Sequence, residues 1–282
     1  RQSDWSSDVC SSDLFTTSDN TALFYRHWPT LLPGAKKVIV LFHRGHEHSG
    51  RLQHLVDEMA MPDTAFYAWD ARGHGKTSGP RGYSPSLARS VQDVDEFVRF
   101  AASDSQVGLD EVVVIAQSVG AVLVATWVHD YAPAIRGLVL ASPAFKVKLY
   151  VPLARPGLAL WHRLRGLFFI NSYVKGRYLT HDRQRVASFN NDPLITRAIA
   201  VNILLDLYKT SERIVSDAAA ITLPTQLLIS GDDYVVHRQP QIDFYQRLRS
   251  PLKELHLLPG FYHDTLGEEN RAQAFEIGRA HV

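Results

Sequence analysis

Residues Asp110–Val122 read DEVVVIAQSVGAV. Glu111 to Ala116 has the β-branched, apolar character of a buried strand, and Gln117-Ser118-Val119-Gly120 interrupts it before small residues resume at Ala121. A strand that reverses abruptly into a helix with serine at the apex is the pattern of a nucleophile elbow. The turn thrusts the hydroxyl out of the sheet and aims the first free N–H groups of the helix at whatever the hydroxyl attacks. Strand and helix almost touch there, so the neighbours must be small, and Ala116, Gly120 and Ala121 meet that demand. Ser118 is therefore the candidate nucleophile. The pentapeptide reads AxSxG where GxSxG is usual, a modest steric difference of one methyl group.

Outward from this run, short β-branched segments alternate with segments of helical period. Strands are expected at Ala22–Trp28, Val38–Phe42, Ala65–Trp69, Glu111–Ala116, Gly137–Ala141, Thr225–Ile229 and Glu254–Leu258. Between them Leu52, Leu55, Val56 and Met59 share one helix face, as do Leu87, Val91, Val94 and Val98. Ser49-Gly50 and Ser84-Pro85-Ser86 are the start signals of those two helices. The alternation predicts an α/β protein with a mostly parallel, doubly wound sheet. Function in such sheets sits beyond the carboxyl ends of the strands.

The two ends stand apart from this pattern. Asp8–Leu14 and Glu276–Val282 can be encoded by the two complementary strands of one sequencing-adapter string, and Asp4–Ser7 continues it upstream. Residues 1–14 and 276–282 are therefore expected to be adapter-derived and are set aside, leaving one domain over 15–275. The single cysteine, Cys10, falls in the excluded part, so disulfides and cysteine metal sites are not expected. The remainder carries 28 basic and 25 acidic residues, a balance that points neither to nucleic acid nor to a disordered tail. At 45% hydrophobic the chain can fill one large core, and no apolar run is long enough to span a bilayer. The native N-terminus is expected to be missing, so a signal peptide stays open; the expected location is the cytoplasm, with peripheral membrane contact as an alternative.

The loops at the strand ends supply the rest of a site. After Val38–Phe42 comes His43-Arg44-Gly45-His46-Glu47-His48-Ser49-Gly50, the station of the second oxyanion donor; the backbone N–H of Gly45 is chosen for it, paired with that of Val119. His43, His46 and His48 form HxxHxH, so metal binding is a rival reading, weakened by the lack of a carboxylate-rich partner motif; a plain polar loop is another. After Thr225–Ile229 comes Ser230-Gly231-Asp232-Asp233, where Asp233 is chosen to orient an imidazole and Asp232 is the alternative. After Glu254–Leu258, Pro259-Gly260-Phe261-Tyr262-His263 places His263 past the last strand. The catalytic set is thus Ser118, Asp233 and His263, in the chain order this topology imposes. No cofactor is expected, and no metal is assigned.

The stretches FHRGHEHSGR, WDARGHGKTSG, VIAQSVGA, LLISGDDYVVH and LPGFYHDTLGE resemble the monoacylglycerol lipase and lysophospholipase branch of the α/β-hydrolases, over nearly all of 15–275. The family's oxyanion loop reads HGxGEHSGR, so this chain departs at Arg44 and His46, where glycines are usual, and at Ala116. The resemblance implies an α/β-hydrolase fold with a helical cap insertion, and hydrolysis of lipid esters through an acyl-enzyme. Serine at the elbow argues against the dehalogenase and epoxide-hydrolase chemistries of this fold, which use a carboxylate. Alternatives are a small-ester carboxylesterase, a peptidase of the same fold, or a noncatalytic binding domain. Within the branch the chain is most similar to the hydrolase half of bacterial bifunctional hydrolase and class I methyltransferase proteins, which implies a fused C-terminal methyltransferase, though these residues carry no methyl-donor fingerprint.

The cap is expected at about 145–217. From Tyr131 to His181 there is no acidic residue, and eight basic ones occur, among them Arg155, Arg163, Arg165, Lys175 and Arg177. Leu160, Trp161, Leu164 and Phe168 are interleaved with them and are the candidate substrate-pocket residues. An apolar surface with a basic surround suits an acyl chain beside an anionic headgroup, or an anionic bilayer surface. A helix that simply packs its apolar face on the core fits the same spacing.

Overall fold

The computed structural model describes residues 10–149, 153–172 and 174–279. Residues 1–9 and 280–282 of the end segments set aside above lie outside the described residues. The strands are β1 (Ser11–Thr16), β2 (Ala22–Trp28), β3 (Lys37–Phe42), β4 (Thr64–Trp69), β5 (Val112–Gln117), β6 (Gly137–Ala141), β7 (Phe169–Asn171), β8 (Ala198–Ala200), β9 (Thr225–Ser230) and β10 (Lys253–Leu258). The helices are α1 (Gln53–Met59), α2 (Leu87–Asp104), α3 (Val119–Tyr131), α4 (Ala154–Arg165), α5 (Arg183–Asn191), α6 (Val201–Ser216), α7 (Gln239–Arg247) and α8 (Ala272–Arg279).

Eight strands form one sheet in the order β1-β2-β4-β3-β5-β6-β9-β10. From β4 to β10 every pairing is parallel, while β2 runs antiparallel to β4 and β1 antiparallel to β2. Parallel strands need covering on both faces, and β3 shows how the sequence provides it. Val38, Val40 and Phe42 face α2 and α3, meeting Val94, Phe97 and Val122. Ile39 and Leu41 face the other way, onto Leu55, Val56 and Met59 of α1 and Phe275 of α8. Each such fully buried side chain contributes roughly 1.5–3 kcal/mol.

Of the two helix starts read from the sequence, Ser84-Pro85-Ser86 supplies a side-chain cap, whereas at Ser49-Gly50 His48 caps the turn and α1 opens at Gln53 without one. Ser86 caps α2, its Oγ accepting the Arg89 N–H at 3.0 Å, and a tight turn over Ser49–Leu52 leads into α1. Helix α3 is apolar almost all round because it packs between the sheet, α2 and α6. The insertion between β6 and β9 holds α4, α5, α6 and the two-stranded antiparallel ribbon β7–β8. Strand β1 begins upstream of Phe15; its side chains from Ser11 to Leu14 are exposed, so backbone hydrogen bonds to β2 carry that pairing.

Candidate active site

Ser118 sits between β5 and α3 with φ 56° and ψ −120°, a conformation that L-residues rarely adopt. Its two peptide groups are fixed from three sides. The Ser118 N–H donates to Ala141 O at 3.0 Å, and its carbonyl accepts from Val122 N and Ala144 N, each at 3.2 Å. Gly120 is required by proximity: a Cβ there would stand 2.5 Å from the His43 carbonyl oxygen. The hydroxyl is thereby held out of the sheet at the carboxyl edge of β5.

The loops after β9 and β10 deliver the other two groups. They stay in step beyond the paired strands, with Gly231 N donating to Leu258 O at 2.8 Å and Asp232 N to Phe261 O at 2.9 Å. Gly231 must lack a side chain, because a Cβ would lie 2.9 Å from the Leu258 carbonyl. Ser118 Oγ and His263 Nε2 are 2.7 Å apart, and His263 Nδ1 lies 2.7 Å from Asp233 Oδ2. The second oxygen of Asp233 accepts the N–H groups of Val235 at 2.7 Å and Val236 at 2.9 Å. Burial works to raise the Asp233 pKa, yet the His263 imidazole and these backbone donors hold it below the ordinary carboxylate value. Asp233 is 7% exposed, whereas Asp232 faces solvent and joins only through its backbone.

Beneath the histidine loop, buried hydroxyls pin it to the sheet. Thr265 Oγ1 is 2.7 Å from Ser142 Oγ and 2.8 Å from Ser230 Oγ, which ties the ends of β6 and β9 to the segment after His263.

Gly45 and Val119 are neighbours across the elbow, since a Cβ on Gly45 would be 3.2 Å from Val119 Cγ2. Val119 opens α3, so its N–H has no carbonyl within the helix to pair with. The direction of the Gly45 N–H follows from its peptide plane. The Arg44 carbonyl lies 2.6 Å from His43 Nδ1, while His43 Nε2 accepts the Ala71 N–H at 3.1 Å, which assigns the proton to Nδ1. With a trans peptide, the Gly45 N–H points opposite to that anchored carbonyl. Burial pushes the His43 pKa down, in keeping with a neutral ring. His46 takes the left-handed conformation, φ 70°, that the glycine usual at this position adopts freely.

The histidines of the loop do not converge on one point. His43 is committed to Arg44 and Ala71, and His48 Nε2 lies 2.7 Å from Asp192 Oδ2. Among the described residues no group of three or more metal-ligating side chains is placed to hold an ion. Of the residues singled out on the cap, Leu160, Trp161 and Leu164 are 60%, 49% and 69% exposed, and Phe168 is half-buried. Among the described residues helix α4 contacts α6, and these side chains stand at the surface.

Sequence reasoning passed over several groups that shape the site. Gln117 Nε2 reaches Asp264 Oδ1 at 3.2 Å, and Asp264 also accepts from Arg185 Nη2 at 2.9 Å. Burial opposes the charge on Asp264, but Arg185 and Arg44 hold its pKa far below the carboxylate range. The one signal in the sequence was a charged residue, Arg44, at a glycine position of the resembled motif.

The profile of the family described as serine aminopeptidase, S33, matches residues 33–270. The uncharacterized protein YnbC of Escherichia coli (strain K12) is 93% identical over 270 residues, covering 96% of this chain and 46% of that protein, so the chain spans about half of its length. Phospholipase YtpA of Bacillus subtilis (strain 168) is 26% identical over 249 residues, covering 86% of this chain and 93% of that protein. In fold, the chain is similar to a soluble variant of monoglyceride lipase from Saccharomyces cerevisiae, with a TM-score of 0.84 at 17% identity, over 96% of this chain and 94% of the other.

Proposed function

Because the chain belongs to the serine aminopeptidase S33 family, in the monoglyceride-lipase branch of the α/β-hydrolases, we propose that it hydrolyses carboxylic esters of single-chain lipids, monoacylglycerols or lysophospholipids. The observation that carries the reading is the continuous relay from the Ser118 hydroxyl through His263 to Asp233. His263 Nε2 takes the proton as Ser118 Oγ attacks the ester carbonyl. The N–H groups of Gly45 and Val119 receive the oxyanion, each such donor being worth roughly 2.7–4 kcal/mol. The imidazolium then protonates the departing alcohol, and water cleaves the acyl-enzyme by the same route. Asp233 holds the tautomer that makes Nε2 the base.

The lipid part of the proposal rests on α4. Its exposed Leu160, Trp161 and Leu164 stand beside Arg163 and Arg165, with the exposed Leu167 and Phe169 following. Apolar side chains rimmed by basic ones fit an anionic bilayer surface, from which a single-chain ester would be drawn. No helix among the described residues is long and apolar enough to cross a membrane. Co-flotation with vesicles containing anionic lipid, lost when Arg163 and Arg165 are both changed to Glu, is expected; flotation indifferent to vesicle charge contradicts the surface reading.

A second reading, a peptidase of the same fold, is favoured by the description of the matched family, and a small-ester esterase is the other alternative. A substrate panel separates these readings. Monoacylglycerol or lysophospholipid turnover exceeding that of short esters and aminoacyl arylamides supports the lipid reading. Preference for the arylamides overturns it.

A further inference from the structure

A buried ionic cluster lies directly behind the proposed oxyanion loop. Arg44, in place of a glycine usual in the resembled motif, is almost fully buried, and its Nη2 donates to Glu47 Oε1 at 2.6 Å. Its Nε stands 3.6 Å from Asp264 Oδ1 and has no hydrogen-bond partner. Asp264 is the residue after His263, and Glu47 also accepts from Arg51 Nε at 2.8 Å. Residue 44 is thus held at both ends, its carbonyl by the His43 ring and its guanidinium between two buried carboxylates.

We propose that Arg44 is a positioning residue, one guanidinium that keeps the Gly45 N–H and the His263 imidazole in register with each other. The inference rests on the hydrolase reading above. The Arg44–Gly45 peptide sets the direction of the oxyanion donor, and the His263–Asp264 segment sets the direction of the base. Arg44 spans the gap between the two, which come from loops after β3 and β10. A charge buried there is tolerated because both of its neighbours are anionic. A planar fork can address both carboxylates, whereas an ammonium group is a single point charge.

The test compares Arg44→Gly and Arg44→Lys with the unaltered chain. Both are expected to fold, since Glu47 keeps Arg51 and Asp264 keeps Arg185. Three readouts are taken: kcat and KM on a short acyl ester, affinity for an alkylboronic acid that forms a tetrahedral adduct on the serine, and thermal midpoint. With the donor and base out of register, Arg44→Gly is expected to lose about 100-fold in kcat with KM little changed. Boronate affinity falls in parallel, and Arg44→Lys lies between. Unchanged kcat and boronate affinity overturn the proposal, as does a loss seen in the thermal midpoint alone. An unaltered chain that neither turns over esters nor binds the boronate overturns the hydrolase reading itself, and this inference with it.

Discussion

Ser118 carries backbone strain of about 1–3 kcal/mol, and the residues that hold it there are backbone partners rather than the hydroxyl. Its side chain is therefore free for chemistry, and Ser118→Ala is expected to keep its thermal midpoint while kcat falls by roughly four to six orders of magnitude. Ester turnover near the original rate contradicts the assignment. The neighbouring acids make a sharper pair. Asp233 accepts from His263 and two backbone N–H groups, and Asp232 points to water. Asp233→Asn is expected to lose about 10⁴-fold in kcat by stabilising the wrong imidazole tautomer, and Asp232→Asn to stay near the original value. Equal losses in the two variants would count against the relay. The stations of Ser118 and His263 at strand ends are legible in the sequence, because strand order determines which loops lie side by side. Arg44, Asp264 and Arg185 are not legible there, since the pairing of 44 with 264 and of 264 with 185 depends on side-chain directions that no periodicity reports.

At the level of elements, the core strands stand within one residue of the expected spans, because β3, β5 and β9 are buried on both faces and read as continuous apolar runs. Strands β7 and β8 were invisible: at three residues each they are too short for a period to show. Strand β1 was not expected because Ser11–Leu14 were set aside with the end segment, and their side chains are exposed at the sheet edge. Helix α4 is where spacing left two accounts open, and its exposure favours a surface over a core-packing face. Changing Trp161 and Leu164 together to Ala is expected to shift stability by no more than about 0.5 kcal/mol per site while weakening binding to anionic vesicles. A large drop in the thermal midpoint would show that α4 packs after all. Gly120→Ala tests the packing of α3 on the end of β3. Its new methyl meets the His43 carbonyl at 2.5 Å, so α3 must move from β3, and destabilisation of about 1–3 kcal/mol by urea unfolding is expected.

Over the whole molecule, buried histidines set an acid limit. Burial first, then the nearby His43, pushes His74 down to about 3, and burial pushes His46 down to about 4. The unfolded chain binds these protons near pH 6.5, so unfolding takes up protons below that value. Their contribution is complete above pH 6.5 and is lost as the pH falls toward 3–4; the carboxylates Asp233, Glu47 and Asp264, held low in the fold, add to the loss below about pH 4. The urea midpoint is expected to be flat above pH 7 and to fall from pH 6.5 to pH 4, less steeply in His74→Gln; a rise on acidification contradicts this. We also propose that the functional unit is 15–275, so a chain cut to those limits should retain its activity, Phe275 being kept in the core. Whether the Ser118 hydroxyl is the nucleophile is read by mapping a fluorophosphonate adduct by mass spectrometry. A single adduct on Ser118 that disappears in His263→Ala is expected; no adduct, or one on a different residue, excludes Ser118 as the nucleophile.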